Sequence, residues 1–171
     1  TNVRRSTPVL VCYLTGIVAV AAGGYHTVSL KYDGTVWTWG YNEDGQLGDG
    51  TNVSRSTPVV VGNLTGIVAV AAGSYHTVSL KDDGTVWTWG YNEDGELGNG
   101  LSGINASRNS PVMVSGISGI VAVATGNYHT VVLKNNGTVF TWGYNALGAL
   151  GDGTGAHADR ETQSFHQVLA E

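Results

Sequence analysis

Residues 67–100 read IVAVAAGSYHTVSLKDDGTVWTWGYNEDGELGNG. Residues 67–73 are short, apolar and small, which suits a strand buried on both sides. Residues 75–81 alternate, with His76, Val78 and Leu80 on one side and Thr77, Ser79 and Lys81 on the other. Asp83-Gly84 breaks the run and predicts a tight hairpin with both turn residues at positive φ. Residues 85–90, rich in Val, Thr and Trp, form the next strand. Residues 92–100 are a glycine-punctuated loop. A fourth strand follows at residues 111–114, as at 58–61, each opening on a proline. Proline lacks the N–H that a central ladder needs, so this strand belongs at a sheet edge.

The same unit occurs three times. Residues 1–50 align with 51–100 without a gap, differing only at Arg4/Ser54, Leu10/Val60, Cys12/Gly62, Tyr13/Asn63, Gly24/Ser74, Tyr32/Asp82, Gln46/Glu96 and Asp49/Asn99. A drifted copy begins at Ile120, with Tyr128 in the place of Tyr75 and Phe140 in the place of Trp87. Four short antiparallel strands in about 50 residues is the content of one β-propeller blade. The expected fold is therefore all-β: a partial propeller with blades at residues 17–61, 67–114 and 120–169. Residues 7–11 would form a leading outer strand and residues 165–169 the last one. The small Ala71-Ala72-Gly73 suits the crowded centre, and the proline-led strand suits the rim.

The bulk composition fits this reading. Of 171 residues, 42% are hydrophobic and only 12% charged, which is too apolar for disorder. The 26 glycines fall at fixed places in the repeat, as turns require. The net charge of −5, with no basic stripe, argues against a nucleic-acid partner. No apolar run approaches the length of a membrane span, and nothing from Thr1 onward has a signal-peptide pattern. Cys12 is the sole cysteine, so neither an internal disulfide nor a cysteine metal cluster is expected.

Ala72-Gly73-x-Tyr75-His76-Thr77 and Trp89-Gly90-Tyr91-Asn92-x-x-Gly95-x-Leu97-Gly98 resemble the regulator-of-chromosome-condensation repeat. All three copies carry the pattern. The resemblance implies a β-propeller of that family, usually with seven blades. The family includes a nucleotide exchange factor on chromatin, ubiquitin-ligase and signalling scaffolds, and a bacterial β-lactamase inhibitor. That inhibitor carries aromatic residues at positions like Tyr25, Tyr75 and Tyr128.

Each chemical candidate has a competing structural explanation. His26, His76 and His129 recur in register on three separate blades, too far apart to share one ion. Each is expected to bond the backbone of its own blade and lock the corner between the first two strands. Asn42-Glu43-Asp44-Gly45 lacks the spacing of a calcium loop, and its Asn is expected to cap backbone. Trp39, Trp89 and Trp142, with Trp37 and Trp87, are expected to fill the space between blades rather than stack on a ligand. No nucleophile elbow is present, and the equivalent of Ser29 and Ser79 is Val132. No metal, cofactor or catalytic residue is therefore expected.

What remains is a surface. Tyr25, Tyr75 and Tyr128 lie at the first corner of each unit; Tyr41, Glu43, Asp44, Tyr91, Glu93 and Asp94 lie in the long loops. Alternate hairpin ends of a blade share one face, so the two sets should lie together and form a protein-binding face. A carbohydrate or small ligand held between blades is the alternative. Guanine nucleotide exchange ranks last, since the sole insertion is a few residues near 101–106. Three blades cannot close a ring, so the chain is expected either to pair as a homodimer or to be a fragment of a longer propeller.

Overall fold

The computed structural model describes residues 3–154. Eleven strands run in chain order among them: β1 (Ile17–Ala22), β2 (His26–Lys31), β3 (Val36–Gly40), β4 (Arg55–Val60), β5 (Ile67–Ala72), β6 (His76–Lys81), β7 (Val86–Gly90), β8 (Arg108–Met113), β9 (Ile120–Thr125), β10 (His129–Lys134) and β11 (Val139–Gly143). They form three antiparallel sheets with the orders β1-β2-β3-β4, β5-β6-β7-β8 and β9-β10-β11. The last outer strand, expected at residues 165–169, lies outside the described residues.

Two sequence expectations are corrected. Residues 7–11 form no ladder among the described residues, and Leu10 is 90% exposed. An outer strand exists only by pairing, and the last sheet, which this strand was expected to complete, has three strands among the described residues, with none beside β11. The hairpin at Asp33-Gly34 is also not a two-residue turn. Gly34 N–H donates to the Lys31 carbonyl at 3.0 Å, Lys31 N–H donates to Thr35 at 2.9 Å, and only the glycine has positive φ. Asp33 stays in an ordinary conformation because its Oδ1 accepts from both the backbone and the hydroxyl of Thr35. Asp83 and Thr85 repeat the arrangement. The turn is the longer type I with a glycine bulge.

The apolar core lies between sheets. Val28, Leu30 and Val36 of the first sheet pack on Val61, Leu64, Ile67 and Trp89. Val78, Leu80 and Val86 pack likewise on Val114, Ile120, Val132 and Trp142. Both faces of a middle blade are thus interior, and β6 is buried from His76 through Leu80. The outer strands stay half-exposed, and Pro58 falls where the β3–β4 register breaks, between Thr38 and Gly40. There its missing N–H disturbs little.

A polar joint runs through each apolar interface. His26 bonds the hydroxyl of Thr77, one blade away, at 2.9 Å. The Thr77 hydroxyl donates its single proton to the Gln46 carbonyl at 2.9 Å, so it must accept from His26 Nε2–H. Trp89 Nε1–H donates to the same carbonyl at 2.9 Å. His76, Thr130, the Glu96 carbonyl and Trp142 repeat the joint at 3.2, 2.9 and 2.8 Å. The expectation that each histidine bonds its own blade is therefore corrected for His26 and His76: the partner belongs to the next blade. The motif glycines make room for this. A Cβ on Gly73 would lie 2.2 Å from the His76 ring, and one on Gly48 would lie 2.7 Å from Trp89.

The histidines are held neutral. His26 Nδ1 and His76 Nδ1 are buried without a partner. A proton there would bury an unpaired charge, and burial pushes the pKa of His26 down to about 4 and that of His76 to about 3. Burial lowers His129 as well. Replacing Thr77 with Val keeps the shape and removes the central hydroxyl of one joint. We expect a loss of about 1–3 kcal/mol, read by chemical denaturation, because His26 and the Gln46 carbonyl each lose a partner. An unchanged midpoint would show that the apolar contacts alone hold the blades together.

Candidate functional site

The loops after β3, β7 and β11 are built on one asparagine each. Asn42 Nδ2 donates to Asp49, Thr51 and Val53, and its Oδ1 accepts from Leu47 N–H at 2.8 Å. Asn92 and Asn145 accept from Leu97 and Leu150 in the same way. Thr38, Thr88 and Thr141 donate to the carbonyls of Leu47, Leu97 and Leu150. The asparagines thus cap backbone, as the sequence reading expected. The loops are not floppy solvated segments: Asn42, Gln46 and Leu47 are fully buried. This rigidity fixes the direction of the residues at each loop's outer edge.

At that edge the tyrosines meet. Tyr25 stacks on Tyr75 with ring centroids 5.4 Å apart and planes 29° apart, and Tyr75 lies 6.1 Å from Tyr128. Tyr41 bridges Tyr25 and Tyr75 at 6.2 Å from each, and Tyr91 bridges Tyr75 and Tyr128 likewise. Tyr144 continues the row beyond Tyr128 at 6.3 Å. It stands in register with Tyr41 and Tyr91, in the third of the long loops that the sequence reading put on this face. The row crosses all three blades, and the corners beneath it are tied by backbone bonds from Gly24 to Gly73 and from Ser74 to Asn127.

The acidic residues divide. Tyr41 and Tyr91 hydroxyls donate to Glu43 and Glu93, each at 3.0 Å. The bond to Glu43 first, then burial and nearby negative charge, push the Tyr41 phenol pKa up; burial first, then the bond to Glu93, push that of Tyr91 up, so both rings stay neutral. Asp44, with Tyr41, Tyr75, Tyr91 and Tyr128, lines a cavity of about 220 Å³. Burial, then Glu43 and Glu93, raise the Asp44 pKa above the ordinary carboxylate value. Asp94, whose N–H donates to Glu96 as that of Asp44 does to Gln46, is not among the residues lining that cavity. Among the described residues no three His, Cys, Asp or Glu side chains are grouped so as to hold a metal ion. No helix there is long and apolar enough to cross a membrane.

Glu96 was not singled out from the sequence. It is fully buried, with Oε2 accepting from Asp94 N–H at 3.1 Å and Oε1 unpartnered. Gln46 holds the same seat in the first loop, accepting from Asp44 N–H. The signal was the Gln46/Glu96 difference between two nearly identical copies.

The family is now settled on two grounds. Models of the Regulator of chromosome condensation (RCC1) repeat match residues 33–80 and 83–133, and also 17–46, 67–96 and 120–149. The chain belongs to the RCC1 repeat family. It is 38% identical over 150 residues to the mouse Regulator of chromosome condensation, covering 86% of this chain and 36% of that protein. It is 40% identical over 139 residues to the human E3 ubiquitin-protein ligase HERC2, covering 80% of this chain and 3% of that protein. Among solved structures, Prp20p of Saccharomyces cerevisiae superposes with a TM-score of 0.76 at 25% identity, over 88% of this chain and 38% of that one. Human WBSCR16 superposes at 0.66 with 30% identity, over 75% and 33%. The chain thus spans less than two fifths of each of these relatives, and it is a partial propeller of the RCC1 type.

Glu96 gives this RCC1-type chain a pH dependence. Burial, reinforced by Asp94 and Glu93, raises its pKa from 4.5 to about 8. The folded state therefore holds the proton more tightly than the unfolded one. Its stabilising effect is full below about pH 4.5, falls as pH rises, and is gone above about pH 8. His26 and His76 act on the other side, since stability falls as pH drops below 6.5 toward their lowered values. We expect wild-type stability to decline from pH 6.5 to 8, and Glu96→Gln to remove that decline. The variant should gain roughly 2–4 kcal/mol on wild type between pH 5 and pH 8.5. Thermal melts across this range test it; parallel profiles for the two proteins would show that Glu96 is not held protonated.

Proposed function

We propose that the chain is a non-enzymatic protein-interaction module whose tyrosine and acidic loop face binds a partner protein. The supporting observation is the continuous row Tyr25, Tyr41, Tyr75, Tyr91, Tyr128 and Tyr144, each ring touching the next across three blades. Tyrosine offers large rigid contact area with few rotors, and such residues anchor interfaces. The Glu43, Asp44, Glu93 and Asp94 carboxylates beside it supply charge selectivity. Prp20p, a relative of the same fold, is described with its binding to Gsp1p and histones. The role suggested here is scaffold or inhibitor, without exchange activity.

Tyr25→Ala, Tyr75→Ala and Tyr128→Ala should each fold and should weaken partner binding, at least one by about 2 kcal/mol or more. Affinity capture followed by titration of the captured protein checks this. If all three variants bind like wild type, the site lies elsewhere. A second reading has one observation in its favour. A cleft of about 300 Å³ between the first two blades is lined by Trp87, Asp49, Asn63 and Ser110. That cleft suits a carbohydrate, but Asp49 is already engaged by Thr51 and Arg55. Binding on a glycan array that survives the tyrosine changes would favour it.

For assembly, we propose that the outer faces of the first and third sheets are two halves of the same joint. Thr27 and Trp39 are half-buried, whereas Thr77 and Trp89 are fully buried in theirs. Leu133 and Val139 are each 37% exposed, whereas Leu80 is 3% and Val86 0% exposed. What completes these halves is another blade of the same kind, from a longer propeller or from a second copy in a homodimer. Light scattering on this 171-residue chain should give twice the monomer mass. A stable monodisperse monomer would overturn the homodimer.

A further inference from the structure

The cavity at the middle of the tyrosine row is specific enough to name its ligand chemistry. Its walls are the rings of Tyr41, Tyr75, Tyr91 and Tyr128, with the Asp44 carboxylate among them. Aromatic faces carry negative potential and attract cations. Two of these rings are further enriched, because Tyr41 and Tyr91 donate their hydroxyl protons to Glu43 and Glu93. The described residues bring no cation to balance this. Their ion pairs, Arg55–Asp49 and Lys81–Asp83, use neither Glu43, Asp44 nor Glu93. Negative charges therefore crowd one another here: Asp44 lies beside Glu43 and Glu93, and its pKa is raised by burial first and by those two carboxylates second. A cation entering the cavity would relieve that crowding and pair with Asp44 at once.

We infer that this cavity receives the guanidinium of an arginine carried on an extended basic segment of a partner protein. The inference rests on the reading of the tyrosine row as a protein-binding face and adds the chemistry of what binds. Guanidinium is favoured over ammonium because it is flat, weakly hydrated and able to lie on a ring face while forking to a carboxylate. A chain-borne ligand is favoured over a free small cation because the row continues past the cavity on both sides. Tyr25, 64% exposed, lies at one end and Tyr144, 38% exposed, at the other. A segment crossing the cavity meets aromatic surface before and after its arginine. The cavity volume of about 220 Å³ admits a side chain and leaves the peptide backbone outside.

The test is fluorescence anisotropy with labelled Gly/Ser peptides of equal length carrying spaced arginines, lysines or glutamines. The arginine peptide should bind at least about 10-fold tighter than the glutamine peptide and measurably tighter than the lysine peptide. Asp44→Asn and Tyr75→Leu should each weaken it about 10-fold, Tyr75→Phe should keep most of the affinity, and Tyr32→Leu should change nothing. Tyr32 is the control because it sits in the β2–β3 turn. Equal binding of the arginine and glutamine peptides, or indifference to Asp44→Asn, overturns the inference. Equal binding of the arginine and lysine peptides overturns the choice of guanidinium. If a captured partner is lost on Tyr75→Ala yet the arginine peptide fails to displace it, the cation inference falls while the interaction reading stands. If capture ignores the tyrosines as well, both fall.

Discussion

Everything in this molecule hangs on the bonds that cross from one blade to the next: histidine to threonine, threonine to a loop carbonyl, tryptophan to that same carbonyl. Apolar burial between sheets supplies the bulk of the stability, but burial is indifferent to direction. Two pleated surfaces rich in Val and Leu could slide by a residue or more and bury similar area. The polar joint cannot slide. A shift would strand a buried hydroxyl, an indole N–H and a carbonyl together, and each stranded group costs its full desolvation. The joint therefore sets register, and the apolar contacts around it supply affinity. It also explains why the histidine is neutral: Nε2–H serves the threonine, and a proton on the buried Nδ1 would find no acceptor.

The same joint connects architecture to surface. Its acceptor is the carbonyl of Gln46 or Glu96, at the inner edge of a loop whose outer edge carries Tyr41 or Tyr91. The next blade thus clamps the loop from within, while Asn42 or Asn92 stitches it to its own blade. The tyrosines stand on a support held from two sides, and little conformational freedom remains to be lost on binding. For the binding role proposed for this face, such preorganisation would lower the entropic cost of association without adding a contact.

The repeat, the strand order and the meeting of the two tyrosine sets were legible because they depend on local pattern and chain periodicity. Alternation in HTVSLK shows a strand, and three copies in register show blades. The partner of the histidine was not legible. His and Thr are adjacent in every copy, so sequence alone cannot say that His26 bonds Thr77 and not Thr27; the 51-residue separation is one repeat. The Asp33 turn was misread because Asp-Gly serves two turn types, and the side-chain bond to Thr35 decided between them. Glu96 was passed over because it stands in a polar, glycine-rich stretch that reads as solvated. Its burial comes from the loop folding back under Leu97 and Asn92, which no periodicity announces.

Glu96 also marks the one place where the first two copies differ inside the protein. The other differences between them, such as Leu10/Val60, Tyr13/Asn63, Gly24/Ser74 and Tyr32/Asp82, fall on exposed or half-buried positions. Surface positions drift because little depends on them. A buried amide-to-acid change is different, since the two side chains have the same shape and opposite consequences for pH. At Gln46 the joint is indifferent to proton concentration on the alkaline side; at Glu96 it is weakened when the proton leaves. Two joints built from the same bonds therefore have different strengths above neutrality, and the one between the second and third blades should open first. The two interfaces also differ in packing, with Val132 and Phe140 of the third copy standing where the second has Ser79 and Trp87, but those differences do not change with pH. A single buried carboxyl is enough to make their relative strength depend on pH.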